Sequence, residues 1–456
     1  MTNIMKTLSK FLIPLLLGLM AAACAKVEPV TRQELLNFAN AEQNVIAIVN
    51  YSEVLASAGE YADLAGFDQR DLAIIKVLNS VEGLDFDNML LMGGDKKAII
   101  LPITDGDAVR ASLTKEYDMD EGHGITLYSP PGKGKCMATD GRLLWIVPRG
   151  SVRETSLYMD ELRAASKESP LTEKVRAFLD ENAAKTMAMF INGLPSPSDK
   201  SQKLYLTATA QLQGSGVSIT LGQTDSKGNP EPLYRSEREA DVSSIIAQVN
   251  PADMLAAVLV IPADVDWLSL LETVMPYEAR EIRRNPLLNQ LVRGFDGRVA
   301  FSGTMVDPAS TDFENPRNYS ATLAIGCKPQ LVDSVFETFG AIVGSGVPVE
   351  RRGDAFYLMD GPNPALRIYH DVNCIYVDTP NTPTRGNLSA DRLEGAMLWM
   401  AVNVPRNFAP LKYIGMETGF KMEGRVKPDV IEIRAEFTDT DELFIANVLK
   451  IIKTIG

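Results

Sequence analysis

The sequence predicts an α+β fold of two similar lobes from an internal duplication, each an antiparallel sheet covered by helices on one face. The first observation is a segment of Met, seven mostly apolar residues and Pro, which occurs at Met187–Pro195, Met254–Pro262 and Met397–Pro405. A weaker copy lies at Asn44–Ser52. The same 210 residues separate the first segment from the third and the weaker copy from the second. Equal separations indicate a repeated domain, with Met187 and Met397 at equivalent strand positions.

The second observation is the alternation of apolar and polar residues. In Val430–Phe437, Ile and Phe alternate with Glu and Arg, so that one face of the strand is buried and the other is wet, as in antiparallel sheets. Each half closes with two strands that flank a turn sequence. In the first half, Lys203–Gln211 and Val217–Thr224 flank Gly214–Gly216, and in the second, Gly419–Val426 and Val430–Phe437 flank Lys427–Asp429. Runs of strands with separate helices between them are typical of the α+β class.

The first half begins with a helix, because Thr31 and Glu34 have the spacing of a capping box. Asn44–Asn50 reads as a strand, and helices follow at Ser52–Ala58 and Gln69–Val81. An additional helical segment, Ser151–Ala184, is present in this half only.

The second half repeats the order of elements. Met254–Ile261 is the strand, and Asp264–Val274 is the helix after it. The next helix, Glu278–Val292, is interrupted by Pro286. A final helix runs from Asp439 to Lys453.

Three further pairs of segments match between the halves. They are Val81–Asp85 with Val292–Asp296, Ala98–Leu113 with Ala321–Phe336, and Ile125–Pro148 with Phe356–Thr379. The longer pair aligns without a gap and places Leu127 with Leu358 and Asp140 with Asp371. Asp140 and Gly141 form a dipeptide that favours a hairpin turn.

These patterns divide the chain into four parts. We assign residues 1–23 to a lipoprotein signal peptide and 24–43 to a lipid-anchored tether with the first helix. Residues 44–235 form the first α+β repeat lobe and residues 249–456 form the second. Asp225–Val249, which is polar at its start, links the lobes.

The N-terminal segment predicts export and lipid attachment. Lys6 and Lys10 precede an apolar core, Phe11–Met20, that is too short to span a bilayer stably. Small residues then lead to Cys24, which predicts lipidation of Cys24. Two alternatives are ordinary signal peptidase cutting after an Ala-x-Ala sequence and an N-terminal anchor that is retained.

The charge of the chain limits its partners. The formal net charge is −14, and removal of Lys6 and Lys10 with the leader makes it more negative. Phosphate binding needs a basic face, so nucleic acid is not expected as a partner. The predicted membrane contact is made through the lipid on Cys24, and an envelope protein or a glycan is a possible partner.

Catalytic and metal-binding patterns are sparse in the sequence. There are two histidines, His123 and His370, and the chain has neither a Gly-x-Ser-x-Gly elbow nor a zinc-ligand spacing. We therefore predict no catalytic, cofactor-binding or metal-binding residues. Paired carboxylates stay open as an alternative, because such pairs are defined by their separation in space. The acidic segment Asp118–Gly122 reads as a surface loop rather than the start of a calcium loop.

Cysteine and tryptophan residues are interpreted as core. Beyond Cys24 there are Cys136, Cys327 and Cys374, of which the last two could form a bridge or simply be buried. The three tryptophans could form a platform for sugars, but each lies inside an apolar run, which favours the core. They are Trp145, Trp267 and Trp399.

The chain resembles uncharacterised lipoproteins of Bacteroides-type bacteria over Cys24–Gly456. The resemblance rests on the strand and helix at Val45–Ala58, the Gly83–Asp85 element, and the strand and helix at Ile99–Leu113. It implies a location and a fold but carries no transferable activity. In such lipoproteins an acidic cluster after the lipidated Cys accompanies surface display. Ala25–Pro29 lacks this cluster, which favours the periplasmic face of the outer membrane.

The sequence therefore predicts a lipid-anchored cell-envelope protein with a binding or scaffolding role and no catalysis. One alternative is an envelope hydrolase that acts on glycan or peptide through carboxylates in a cleft between the lobes. Another is a periplasmic carrier of lipid or lipoprotein.

Overall fold

The structure, a computed structural model, describes residues 29–63, 78–94, 96–130, 135–164, 169–195, 203–234, 242–261, 272, 275–382, 386–413 and 415–455. The predicted signal peptide with Cys24, the predicted helix Asp264–Val274 except Glu272, and most of the predicted helix Gln69–Val81 lie outside these residues. Within these ranges, the structure has no helix with the length and apolar character needed to cross a membrane.

One open antiparallel sheet of 21 strands forms the centre of the molecule. Its strands are β1 Val45–Val49, β2 Met89–Gly93, β3 Ala98–Pro102, β4 Asp118–Gly122, β5 Ile125–Ser129, β6 Cys136–Thr139, β7 Leu143–Val147, β8 Met187–Pro195, β9 Lys203–Gln213, β10 Gly216–Thr224, β11 Pro230–Glu231, β12 Leu255–Val260, β13 Phe295–Met305, β14 Tyr319–Cys327, β15 Val349–Arg352, β16 Ala355–Asp360, β17 Asn363–His370, β18 Cys374–Asp378, β19 Leu398–Val404, β20 Gly419–Val426 and β21 Val430–Thr438.

The α-helices of the described ranges lie between these strands. They are α1 Arg32–Leu36, α2 Tyr51–Ala58, α3 Gly106–Leu113, α4 Val152–Ala164, α5 Pro170–Glu181, α6 Ser243–Ile246, α7 Pro276–Arg284, α8 Pro286–Gly294, α9 Val332–Gly344, α10 Ala390–Leu393, α11 Ala409–Tyr413 and α12 Phe444–Ile455. Short 3₁₀ turns lie at Gly59–Asp63 and Pro316–Asn318.

The prediction of two lobes with separate sheets is wrong. We refer to residues 29–234 as the first half and to residues 242–455 as the second half. The last long strand of the first half, β10, pairs with the last strand of the second half, β21, from Gly216 opposite Glu436 to Gly222 opposite Val430. The two halves therefore share one sheet, in which β10 and β21 are central strands.

The order of pairing is the same in both halves, counted outward from this junction. From one edge to the other the strands are β4, β5, β6, β7, β3, β2, β1, β8, β9, β10, β21, β20, β19, β12, β13, β14, β18, β17, β16 and β15. The short β11 pairs with the end of β10 beyond β21. Asp118–Gly122, expected as a loop, is an edge strand, and the expected linker Asp225–Val249 contains β11 and α6.

Helices pack on both faces of the sheet, so the prediction of cover on one face is also wrong. We name the face that carries Trp145 and Trp399 the front face, and the opposite face the back face. In the first half, α1, α4 and α5 contribute to the front core, whereas α2 and α3 contribute to the back core. All five residues of β7 are buried, because a strand that is apolar on both faces needs cover on both.

In the second half, α6 and α10 contribute to the front core, and α9 contributes to the back core. The C-terminal helix α12 packs on the back face near Phe437. It also reaches the first half, since the N–H of Ile445 donates to the hydroxyl of Ser57 at 3.1 Å. Both the shared sheet and α12 therefore join the halves.

Two pairs of residues that the sequence alignment predicts to be equivalent, Met187 with Met397 and Leu127 with Leu358, occupy different positions in their strands. The N–H of Asn50 donates to the carbonyl of Thr186, and the corresponding N–H of Val260 donates to that of Met397. Met397 thus lies where Thr186 lies, one residue from the place of Met187. Leu127 packs in the front core, whereas its aligned partner Leu358 packs against the back core. A shift by one residue moves a side chain to the other face of a sheet.

Several local predictions are confirmed. Thr31 and Glu34 form the capping box, and helices α7 and α8 break at Pro286. The carboxylates of Asp140 and Asp371 each accept two backbone N–H groups in matching hairpin turns. The remaining cysteines Cys136, Cys327 and Cys374 are free and buried, so the bridge between the last two is not formed.

Gly83 is required by the packing of α3. Its φ of 85° lies in the region that favours glycine, and an added Cβ would overlap the carbonyl oxygen of Asp105, at the start of α3. We expect Gly83→Ala to lower the free energy of unfolding by about 2 to 4 kcal/mol, measured by urea denaturation. Gly106→Ala is the control, because a Cβ there meets open space. Equal stability of the two variants would contradict this account.

Candidate functional site

A cleft crosses the front face where the helices of the two halves leave the central strands uncovered. Its wider part has a volume of about 650 Å³ and lies over β9, β10, β21 and β20. Its narrower part, of about 450 Å³, lies between α5 and the strands β8, β9 and β10. The two parts meet at Thr220, which lines both. We refer to them as the wide cavity and the narrow cavity of the cleft.

Strand alternation determines the chemistry of the cleft floor. In β10, Val217 and Ile219 point to the back face, so Ser218 and Thr220 point to the front. Cross-strand pairing carries this face through the sheet. One row of paired residues runs Ala188, Thr209, Thr220, Glu432, Arg425 and Trp399. The floor between the two apolar cores is therefore polar.

Four hydroxyl groups on this floor are available to a ligand. Thr209 lies opposite Thr220, and Thr207 and Ser218 lie nearby on the same face. Their side chains make no hydrogen bond to any described residue. Because the strands beneath them are paired on both sides, these hydroxyls are presented on a rigid surface.

The narrow cavity combines this hydroxyl-bearing floor with an apolar wall. The wall comes from Val175, Ala177 and Phe178 of α5 and from Phe190 of β8. An apolar wall opposite hydroxyl groups suits a ligand that has both an apolar face and polar substituents, such as a sugar ring.

A charged network stabilises the wall of the wide cavity in the second half. The carboxylate of Glu423 accepts hydrogen bonds from Arg392 at 3.0 Å, from the indole N–H of Trp399 at 2.8 Å and from Arg425 at 3.0 Å. Arg392 also lies over the Trp399 ring, 5.6 Å from its centroid. These contacts fix α10 against the front face.

The electrostatics of this network keep Glu423 ionised. Burial is the largest influence on the pKa of Glu423 and acts to raise it. The hydrogen bonds from Arg392 and Trp399, together with the charges of Arg392 and Arg425, outweigh burial and lower the pKa to about 2. Glu423 is therefore a permanent anion near neutral pH.

On the side of the first half, a smaller network positions Gln211 in the floor of the wide cavity. The side-chain amide of Gln211 donates to Glu53 at 2.9 Å, and the hydroxyl of Thr186 donates to the same carboxylate at 2.6 Å. Glu53 belongs to α2, so this contact ties the floor of the cleft to a helix of the first half.

The histidines lie away from the cleft. His123 is exposed in the turn between β4 and β5. His370 lies at the end of β17, where its Nδ1 is 3.7 Å from the carboxylate of Asp333 and its ring lies 4.5 Å from that of Phe336. Across the described ranges, no group of three or more His, Cys, Asp or Glu residues is arranged to hold a metal ion.

The tryptophans of the described residues belong to the core, as predicted. Trp145 and Trp399 are fully buried, so they do not offer a surface for sugars. Trp267 and the predicted lipidation site Cys24 lie outside the described residues.

Sequence reasoning identified the strands of the cleft but not their role. The signal was present as Thr-x-Thr-x-Gln in Thr207–Gln211 and as Ser-x-Thr in Ser218–Thr220. Such alternation indicates a wet face. Only the pairing of β10 with β21 shows that this face forms the floor of a cleft with helices on both sides.

Comparison of the chain with protein-family models, with curated proteins and with solved structures found no match. The resemblance to lipoproteins of Bacteroides-type bacteria thus stays a prediction.

Proposed function

We propose that this chain is a lipid-anchored cell-envelope protein that binds a glycan in the cleft without catalysing its conversion. The observation that supports this role most directly is the polar floor with its free hydroxyls, set between helices of both halves. Residues 216–224 of β10 run along both cavities, a distance of about 26 Å at the rise of a strand. That length suits an extended polymer better than a small metabolite.

Glycan is favoured over peptide as the ligand. Extended peptides are commonly bound by adding a strand to a free sheet edge, where main-chain groups are available. The floor strands β9, β10, β21 and β20 are paired on both sides. Recognition in the cleft must therefore use hydroxyl, amide and charged side chains, which match the hydroxyl groups of a sugar.

Binding is favoured over hydrolysis because the carboxylates of the cleft wall are ionised and ion-paired. A glycosidase needs one carboxyl group that holds a proton near neutral pH, which requires a raised pKa. The most enclosed carboxylate of the cleft wall, Glu423, has its pKa lowered to about 2. Glu432 forms an ion pair with Lys427 at 3.0 Å. These two groups are suited to holding structure and charge rather than to donating a proton.

The binding site can be tested by filling the junction of the two cavities. Thr220→Trp places a large ring where the cavities meet, on an exposed strand position that tolerates aromatic residues. We expect at least a roughly tenfold loss of affinity for the polysaccharide that the wild type retains in affinity electrophoresis, with little change in melting temperature.

Met119→Trp is the control for this variant, since Met119 is 40% exposed on the edge strand β4, outside the cleft. Unchanged affinity of Thr220→Trp would exclude the cleft as the site. Failure of the wild type to bind neutral, carboxylated and sulfated polysaccharides alike would exclude the proposed function.

The membrane attachment proposed for Cys24 is tested separately. Without a thiol, no lipid can be added at this position, so Cys24→Ala should move the protein from the membrane fraction to the soluble envelope fraction. Immunoblots of fractionated cells measure this distribution, with Cys136→Ala as a thiol-removal control. Wild-type fractionation of Cys24→Ala would rule out lipid attachment as the anchor.

A further inference from the structure

We infer that the glycan bound in the cleft is acidic, and that its carboxylate or sulfate groups bind in the wide cavity to Lys185, Lys421 and Arg434. This inference rests on the proposed function and specifies its ligand class. Four cations and three carboxylates line the wide cavity. They are Lys185, Arg392, Lys421, Arg434, Glu423, Glu432 and Glu436.

Two of the three carboxylates are already neutralised. Glu423 is bound by Arg392 and Arg425, both at 3.0 Å. Glu432 lies 3.0 Å from Lys427 and 3.7 Å from Arg425. Because these carboxylates are already ion-paired, they neutralise the charge of the other cations in the cavity only in part.

The other three cations are not paired. Lys185, Lys421 and Arg434 form no ion pair or side-chain hydrogen bond with the described residues. All three are exposed, and the remaining carboxylate of the cavity, Glu436, is exposed as well. Arg434 lies opposite Glu423 in the sheet, and its charge also acts on Glu394. The four cations that line the wide cavity still outnumber its three carboxylates, so the lining is net positive by one formal charge, whereas the chain carries a formal charge of −14.

The geometry allows these cations to act together. Lys421 of β20 pairs with Glu436 of β21, and Arg434 lies two residues before Glu436 on the same face. Diagonal neighbours of this kind are about 7 to 8 Å apart in a sheet. Lys185 enters from the other side, in the segment between α5 and β8.

The chemistry of these side chains fits an acidic polymer. A guanidinium group such as that of Arg434 binds carboxylate or sulfate through two parallel hydrogen bonds, whereas Lys acts as a point charge. The hydroxyls of Ser218 and Thr220 lie beside these cations on the same floor and can bind the uncharged substituents of the same sugar. Charged and hydroxyl groups on one floor match a polymer that carries both.

Binding to three polysaccharides tests the inference on the full mature chain. We expect polygalacturonate or a sulfated galactan to bind at least tenfold more tightly than neutral dextran at low salt, and this preference to shrink as salt is raised, because charge contacts are screened. The double variant Lys421→Gln, Arg434→Gln should lose the preference, while Lys421→Arg, Arg434→Lys should retain it. Comparison of the two acidic polymers shows which anionic group is preferred.

A matched control removes two charges outside the cleft. Lys115→Gln, Arg317→Gln alters one Lys and one Arg that are exposed and lie outside the cavity. This variant should keep the preference for acidic polymers. Equal binding of acidic and neutral polymers by the wild type would overturn the inference and leave the proposed function standing. So would a preference that survives in the Gln double variant with unchanged melting temperature. A wild type that binds none of the polymers would overturn the proposed function itself.

Discussion

Glu423→Gln should lower the free energy of unfolding by about 3 kcal/mol at pH 7. The carboxylate accepts hydrogen bonds from Arg392, Trp399 and Arg425, and its side chain is 25% exposed. Removing its charge leaves Arg392 without its counter-ion and takes away one of the counter-ions of Arg425, which also pairs with Glu394 at 3.1 Å. Urea denaturation followed by far-UV circular dichroism measures the difference.

The effect of Glu423→Gln should depend on pH in a defined direction. The pKa of Glu423 is about 2 in the folded protein and about 4.5 when unperturbed. A carboxyl group with a lowered pKa contributes its stability in full above about pH 4.5 and loses it as the pH falls towards 2. The wild type should therefore lose about 2 kcal/mol more than the variant over this interval, after allowance for solvent screening of the exposed part.

Glu436→Gln is the matched control, since Glu436 is an exposed carboxylate of the same cavity without an ion pair to the described residues. Its effect should stay within about 0.5 kcal/mol at all pH values. A constant difference between wild type and Glu423→Gln from pH 7 to pH 2.5 would show that Glu423 is not stabilised as an anion.

Local structure could be predicted from the sequence because short-range signals specify it. The capping box at Thr31, the helix break at Pro286 and the hairpin turn at Asp140 each depend on a few neighbouring residues. The strands β9, β10, β20 and β21 are predicted from the turn sequences between them and, for β21, from the alternation of apolar and polar residues. These features do not require knowledge of which strands pair.

The pairing between halves could not be predicted in the same way. Apolar and polar residues alternate in β10 and β21 whether these strands lie at an edge or at the centre of a sheet. The same ambiguity affects register, because the alignment of Met187 with Met397 requires only similar residues, whereas the sheet fixes which face each one occupies. A signal for cover on both faces was present in the continuous apolar run Leu143–Val147.

The cleft could not be predicted either, because it is formed by strands of both halves. Ser218 and Thr220 come from β10, whereas Arg434 and Lys421 come from strands that are more than 200 residues away in the chain. Two separate lobes would not place these residues on one floor. Any prediction of the ligand therefore depends on the junction between the halves.

Cleavage of the chain between the halves should leave the two halves associated. Two separately folded lobes would instead come apart after the same cut. A protease site inserted within residues 235–241 would cut between Tyr234 and Val242. Seven residue pairs join β10 to β21, and each cross-strand pair contributes roughly 0.2 to 1 kcal/mol. Tyr234 also contacts the second half, where its hydroxyl accepts the N–H of Met397 at 3.1 Å.

The cleaved protein should therefore elute from a sizing column as one species at the volume of the intact chain at micromolar concentration, which corresponds to an association free energy of about −8 kcal/mol or stronger. Helix α12 strengthens the association of the halves, because it packs near Phe437 of the second half while the N–H of its Ile445 donates to Ser57 of the first half. The same sample in denaturing urea should separate into two fragments, which verifies the cut. Two monodisperse fragments under native conditions would instead mean that β10 and β21 do not form a central pair, and that the polar residues of the two halves do not share one floor.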